Sequence, residues 1–491
     1  MNTWSDPAAL QDTELLDCVN FEVDLDGSLF SRPPIRKGSL EDWGDTNFRI
    51  LTTAFFNNQN YYILSHSTGI WYYSQGGWTL ITNTIQATTA VQWKEPTTGA
   101  SCVYIPARPG EANPGGYWSP SRAWTTIPNL PKCTSILTHK DRLYCAGMSA
   151  TPSVVQFSDP LNGSIFGANS NFNVNISDGE VIIDMIVFND AITIFKNNAT
   201  YVFPFDTSPT TGVIRRISGT IGVSGKDCCF IYETSLYLLH DNNIYEVMNY
   251  DFSRLNTKVP FEYDSTAPAP YATPFFISQF GDRLIARYYN RIYVFGFRTR
   301  TWTRWESAHY FGPLWKELGL PTGIGYEKYM APSCLTTDRY AYFIQDGYET
   351  GVSEEMTCRI ATKIYDLAIS AKYKRLFWWG CDINTVRNVK GTVIPITSVY
   401  RITWDQLATY KWSDLKTWDY PLVEPPSLED IVVVGGGSYR RFIKFLKAIR
   451  FRQVQFEVEM YSSGEPIDSP ARFFNITAFI GTRETVVKKV S

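Results

Sequence analysis

The chain has 491 residues, 44% hydrophobic and 15% aromatic, enough for a large buried core and about two to four domains of ordinary size. Its 45 Lys plus Arg are balanced by 48 Asp plus Glu, a formal net charge of -3 with no long block of one sign, which argues against a duplex nucleic-acid footprint. The polar start MNTWSDPAAL lacks the basic and apolar regions of a secretory signal, and no uncharged apolar run reaches the roughly 18 residues of a membrane helix, so synthesis in a cytoplasm is expected.

The first predicted elements lie in CVNFEVDLDGSLFSRPPIRKG. Val19, Phe21, Val23 and Leu25 alternate with polar residues before Asp26-Gly27, predicting a strand, a tight turn and a second strand that ends at Pro33-Pro34.

From Tyr61 onward one sentence repeats. YYILSHSTGIWYY, ITIFKNNATYVF from Ile192, LYLLHDNNIYEV from Leu236 and RLIARYYNRIYVF from Arg283 each join two β-branched or aromatic runs through a polar turn, the hairpin signal. Weaker versions start at Ser101, Arg142 and Arg339. The landmarks Tyr62, Val103, Leu143, Ile192, Leu236, Leu284 and Tyr340 advance by 41, 40, 49, 44, 48 and 56 residues.

Strands alone at a period of about 40 to 50 residues are what a β-propeller blade requires, four antiparallel strands stacked face to face around an axis. The expected fold is therefore all-β: a β-propeller of about six to eight blades, best counted as seven, over 46–365. The competing reading is an ordinary all-β protein whose hairpins share generic strand chemistry. Residues 1–45 then form a strand segment able to clasp the ring by pairing into the last blade.

After Cys358 the rhythm fades. TWDQLATYKWSDLKTWDYP carries Trp404, Trp412 and Trp418 beside Asp405, Asp414 and Asp419, and a Pro- and Gly-rich hinge follows. From Ile449 to Met460 and from Phe473 to Ile480 apolar and polar residues alternate, so 366–491 is read as a C-terminal β-sandwich-like domain. Arg440, Arg441, Lys444, Lys447, Arg450 and Arg452 offer a basic face for docking an acidic partner, or a merely solvated one. The three tryptophans suit stacking on sugar rings, or packing against a blade.

Reactive constellations are absent from the sequence. The nine cysteines are scattered without Cys-x-x-Cys and read as small buried hydrophobes; the four histidines lack metal-ligand spacing. Asp159, Asp178, Asp184, Asp190 and Asp241 near blade turns are expected to accept backbone N–H bonds rather than to form a glycosidase pair. Gly435, Gly436 and Gly437 lack the Lys of a phosphate loop and read as linker. No cofactor or metal site is expected, and no enzyme.

Three stretches carry a family resemblance. FSDPLNGSIFGANSNFNVNISDGEVIIDMIVFNDAITIFKNNATYVF, from Phe157 to Phe203, combines Ser-Asp-Pro, an Asp-Gly turn and a hairpin built on Ile-Phe-Lys. The start ALQDTELLDCVNFEVDLDGSLFSRPPI carries Asn-Phe, Asp-x-x-Gly and Arg-Pro, and TWDQLATYKWSDLKTWDY carries Trp-Asp-x-Leu. Together they resemble β-propeller tail proteins of bacteriophages, the hub, nozzle and minor tail protein group.

The resemblance implies a structural virion component of the viral tail, made in the host bacterial cytoplasm. Its implied partners are other tail proteins (tube, adaptor, fibres), copies of itself in a homo-oligomeric ring, and viral DNA passing through a channel during ejection. The alternative is a tail-tip adhesin for virus-host attachment that binds a cell-surface glycan through Trp404, Trp412 or Trp418.

Overall fold

The computed structural model describes residues 15–37, 48–74, 77–259, 261, 275–289, 291–307, 311–318, 327–333, 341–345, 356–362, 374–385, 388–396, 428–433, 437–451, 453–461 and 472–482. Among these the chain is nearly all β, with two 3-10 turns and no α-helix. It divides into two compact units: Met1–Arg32 with Arg298–Glu306 and Thr350–Ser491, and Pro33–Phe297 with Ser307–Glu349.

The larger unit repeats antiparallel sheets of the β-propeller blade type. The first holds Arg49–Phe56, Gln59–His66, Gly69–Ser74 and Gly77–Thr82; the second Val91–Lys94, Ser101–Ile105, Gly116–Ser119 and Arg122–Thr126. The third holds Ser135–His139, Arg142–Ala146, Val154–Phe157 and Asn171–Asn173; the fourth Asp184–Phe188, Ala191–Phe195, Thr200–Phe203 and Arg215–Ser218. The fifth holds Cys229–Tyr232, Ser235–His240, Asn243–Met248 and Asp251–Arg254, and the sixth contributes the meander Phe275–Phe280, Arg283–Tyr288 and Arg291–Gly296. The seventh holds Trp315–Lys316, Lys328–Pro332, Ala341–Gln345 and, from far earlier in the chain, Ile35–Lys37.

Two local rules build these sheets. The turns after the first strands carry Asn57-Asn58, Lys140-Asp141 and Asn189-Asp190, all at positive φ, the type I′ geometry whose twist matches the flanking strands and which Asn and Asp tolerate best. The second strands are covered on both faces, so both parities are apolar: Ile192, Ile194 and Phe195 are buried, as are Leu236, Leu238 and Leu239. Six of the seven sequence landmarks fall on these second strands.

First strands lie against one another between the first and second, second and third, third and fourth, fifth and sixth, and seventh and first sheets. The first sheet packs on the second through Phe56, Tyr61 and Trp118, whose rings meet edge to face at 5.7 to 6.1 Å. It also packs on the seventh, through Ile50, Tyr62, Met330 and Ala341. The outermost strand of that seventh sheet is Ile35–Lys37, in register Tyr342↔Lys37, Phe343↔Arg36 and Ile344↔Ile35.

The smaller unit contains two sheets. One orders Thr301–Trp305, Leu15–Val19, Thr357–Thr362, Gln453–Tyr461, Asn388–Ile396 and Leu428–Val433; the other orders Phe21–Val23, Leu29–Ser31, Arg472–Thr482, Lys374–Thr385 and Gly437–Phe451. Residues 1–45 therefore do not behave as one segment. Up to Arg32 the chain belongs to the unit that holds its C-terminal strands, and from Pro33 it belongs to the propeller-type unit.

Candidate functional site

A group of charges in the larger unit gathers where first strands begin. Arg49 opens the first strand of the first sheet and ion-pairs with Asp227, which precedes the fifth sheet. Lys226 ion-pairs with Asp184, the first residue of the fourth sheet. Ser135, at the head of the third sheet, donates its hydroxyl to Asp184 Oδ1 at 2.8 Å. Met185 N–H donates to that same Oδ1 at 2.9 Å and to Ser135 Oγ at 3.2 Å. On the next interface, Ile277 N–H donates to the Asp227 carbonyl at 3.0 Å.

The chemistry of this group is closed. Two cations face two anions, and the Asp184 carboxylate accepts from a hydroxyl, an N–H and an ammonium. Burial pushes the thiols of Cys228 and Cys229 well up, with Asp184 adding to the rise at Cys229, so neither is a thiolate nucleophile near neutral pH. Among the described residues no group of three or more His, Cys, Asp and Glu is placed to hold a metal ion.

The turn aspartates do not converge on one cleft; each has its own partner. Asp190 pairs with Lys140 at 2.9 Å, Asp241 lies 3.7 Å from His240, and Asp159 bridges to Asn162. Asp178 Oδ1 accepts the Glu180 N–H at 3.0 Å, the turn role expected of it. It also does something the sequence does not announce, by receiving Lys196 at 2.6 Å.

Lys196 is the lysine of Ile-Phe-Lys, and its side chain is fully buried. Its three donors meet three acceptors: Asp178 Oδ1, the Asn175 carbonyl at 3.0 Å and Ser153 Oγ at 3.1 Å. Burial pushes the Asp178 carboxyl up, but the bonds from Lys196, Glu180 N–H and Tyr201 outweigh it and hold it below its usual range. The ammonium of Lys196 also stands 5.7 Å over the Tyr201 ring.

A second buried node sits in the smaller unit. Asn20, at φ 57°, donates Nδ2 to the Thr357 carbonyl at 2.7 Å and accepts Arg32 Nε at 2.9 Å and Glu306 N–H at 2.8 Å on Oδ1. Arg32 is fully buried, with Nη2 donating to the Glu306 carbonyl and its guanidinium 5.6 Å over Trp305. Asn20 and Arg32 are the Asn of Asn-Phe and the Arg of Arg-Pro.

Trp404, Trp412 and Trp418 lie outside the described residues. Arg440, Arg441, Lys444, Lys447 and Arg450 lie on the strand Gly437–Phe451, and Arg452 lies outside the described residues. That strand is fifteen residues long and pairs with Lys374–Thr385 as the outer member of its sheet.

No family model matches the chain, and no curated protein matches it. Solved structures do. The AfRom2 CNH domain is 8% identical with a TM-score of 0.38 and covers 64% of this chain and 98% of its own length. The WD40 domain of Neurospora crassa Pan2 is 8% identical with a TM-score of 0.38 and covers 67% of this chain and 98% of its own. The extracellular domain of a hybrid two component system from B. thetaiotaomicron is 8% identical with a TM-score of 0.46 and covers 94% of this chain; the chain spans 63% of the length of that domain.

Proposed function

We propose that this chain is a structural subunit of a bacteriophage tail, of the hub, nozzle or tip kind, that acts by assembling with other tail proteins rather than by catalysis. In this reading the seven sheets are the blades of one closed seven-bladed propeller, fastened by Ile35–Lys37, and the two sheets of the smaller unit form a β-sandwich.

The observation that carries the reading is where the resemblance falls. Its distinctive polar residues, Asn20, Arg32, Asp178 and Lys196, are the buried nodes that tie strands together, so the shared signature marks a shared scaffold. The charged group at the first strands supports the same view, because its members neutralise one another across sheets. Arg49 and Asp227 link the first and fifth sheets, so viral DNA would travel between copies rather than through one chain's own ring.

The test is the mass of the purified chain by light scattering, alone and mixed with tails of its virus. Incorporation with a defined stoichiometry is expected. A chain that joins no tail component and instead sticks to host cells would replace this reading with the adhesin.

A further inference from the structure

The link between the third and fourth sheets is held differently from three other links of the larger unit. The link from the first sheet to the second buries Ile85 and Ala87, the next buries Ile127, Leu130 and Cys133, and that from the fourth to the fifth buries Val223 and Cys228. From Asn175 to Val181 no residue is buried. The 3-10 turn Ile176–Asp178 lies in this stretch, and Ile176 and Val181 are 60% and 52% exposed.

Polar contacts hold it instead. Fully buried Lys196 donates to the Asn175 carbonyl, to Asp178 Oδ1 and to Ser153 Oγ, and Ser153 Oγ donates in turn to the Glu180 carbonyl at 2.7 Å. Tyr201 hydroxyl donates to Asp178 Oδ2 at 3.1 Å and accepts Asn175 Nδ2 at 3.0 Å. Glu180 Oε1 accepts Asn198 Nδ2 at 2.6 Å, and its Oε2 accepts the Asn198 N–H at 3.2 Å. Both acids of the stretch are therefore engaged within the chain, and its outward tips are aliphatic.

This arrangement costs more than a link needs. Ordering an exposed stretch loses conformational entropy with no apolar burial in return, and apolar replacements of a buried ion pair are often as stable or more so. Single exposed hydrophobes are ordinary. Two of them on seven residues fixed by a buried lysine form a preorganised contact, which meets little further ordering cost on association.

We infer that residues 175–181 are a recognition loop, held in its binding shape by Lys196, whose Ile176 and Val181 enter an apolar socket on a different tail protein. The contact calls for aliphatic surface rather than a cation, because Lys196 already neutralises Asp178 and Asn198 already binds both oxygens of Glu180. The inference rests on the tail reading above and names one contact that serves it.

The test uses the full chain and tails of its virus assembled without it, with co-sedimentation titrated to half-saturation. I176S/V181S is expected to raise that concentration at least about tenfold and to leave the melting temperature unmoved, because both side chains are exposed. Lys196→Met keeps both aliphatic side chains but frees the loop. It is expected to weaken binding at least about threefold in the wild-type chain and not at all in I176S/V181S, with faster amide exchange across 175–181. A benzophenone side chain in place of Ile176 is expected to cross-link to a different tail protein.

Tail binding that I176S/V181S leaves unchanged overturns the inference and leaves the tail reading intact. A cross-link only to a second copy of this chain also overturns it, and so does none at all. If Lys196→Met weakens binding equally in both backgrounds, it acts on the fold at large and the role given to the lysine is overturned. A wild type that joins no tail refutes the tail reading and the inference with it.

Discussion

Replacing Asp178 by Asn removes the anion from a fully buried ammonium. The resulting loss is set by which partner water can reach. Lys196 is sealed from solvent, whereas the Asp178 side chain is 20% exposed. Stripping one member of a buried pair costs about 3 to 5 kcal/mol when the survivor stays buried and charged, and Asp178→Asn is expected to fall in that range.

Lys196→Met works the other way. The carboxylate left behind keeps water, Tyr201 hydroxyl and the Glu180 N–H, and the apolar replacement no longer needs desolvating, so about 1 to 2 kcal/mol is expected.

The assay is amide exchange on the strand Ala191–Phe195, whose backbone hydrogen bonds open with the local structure, backed by urea midpoints. The reasoning is refuted if Lys196→Met destabilises the strand as much as Asp178→Asn.

Three further outcomes follow from the same fold. Burial drives the His139 pKa below 6.5, with Lys140 acting in the same sense, so the unfolded chain protonates first and stability falls as pH drops below that value; the loss in melting temperature from about pH 7 to pH 5 should be smaller in His139→Gln. Gly69 sits at φ +135°, and a Cβ there would lie 2.1 Å from the Thr82 carbonyl, so Gly69→Ala should cost about 1 to 3 kcal/mol or more in thermal unfolding. Ile35 is buried in the strand that completes the seventh sheet, so Ile35→Ala should cost about 2 to 5 kcal/mol and speed amide exchange in Ala341–Gln345 more than in the third sheet.

The repeat was legible because one strand of each sheet obeys a strict rule. A second strand covered on both faces is largely apolar at both parities, and the turn ahead of it is polar, so the landmarks from Tyr62 to Leu284 fall on second strands. The last interval of 56 residues has a plain cause: Tyr340 immediately precedes the third strand, Ala341–Gln345, while the second strand of that sheet is Lys328–Pro332. Its sequence, KYMAP, has no β-branched residue and ends in proline, so the hairpin signal passed it by. The pairing of Ile35–Lys37 with Ala341–Gln345 and the division at Pro33 were not legible, because they and the pairing of Leu15–Val19 with Thr357–Thr362 each span about three hundred residues or more and leave no local trace.

The candidate site was least legible, for a related reason. A carboxylate in an Asp-Gly turn looks the same in sequence whether it caps its own loop or receives a buried lysine from eighteen residues on, and Asp178 does both. The polar residues easiest to recognise by resemblance, Asn20, Arg32 and Lys196, spend their hydrogen-bonding capacity inside the fold. Groups committed in this way cannot also recognise a partner. What remains for recognition is surface that folding does not consume, such as the loops bearing the exposed Leu161, Val213 and Met248. Those positions are free to change without cost to the nodes. A chain of this design would keep its scaffold signature while its partners vary, so substitutions at the loops should alter what it binds and leave its melting temperature nearly unmoved.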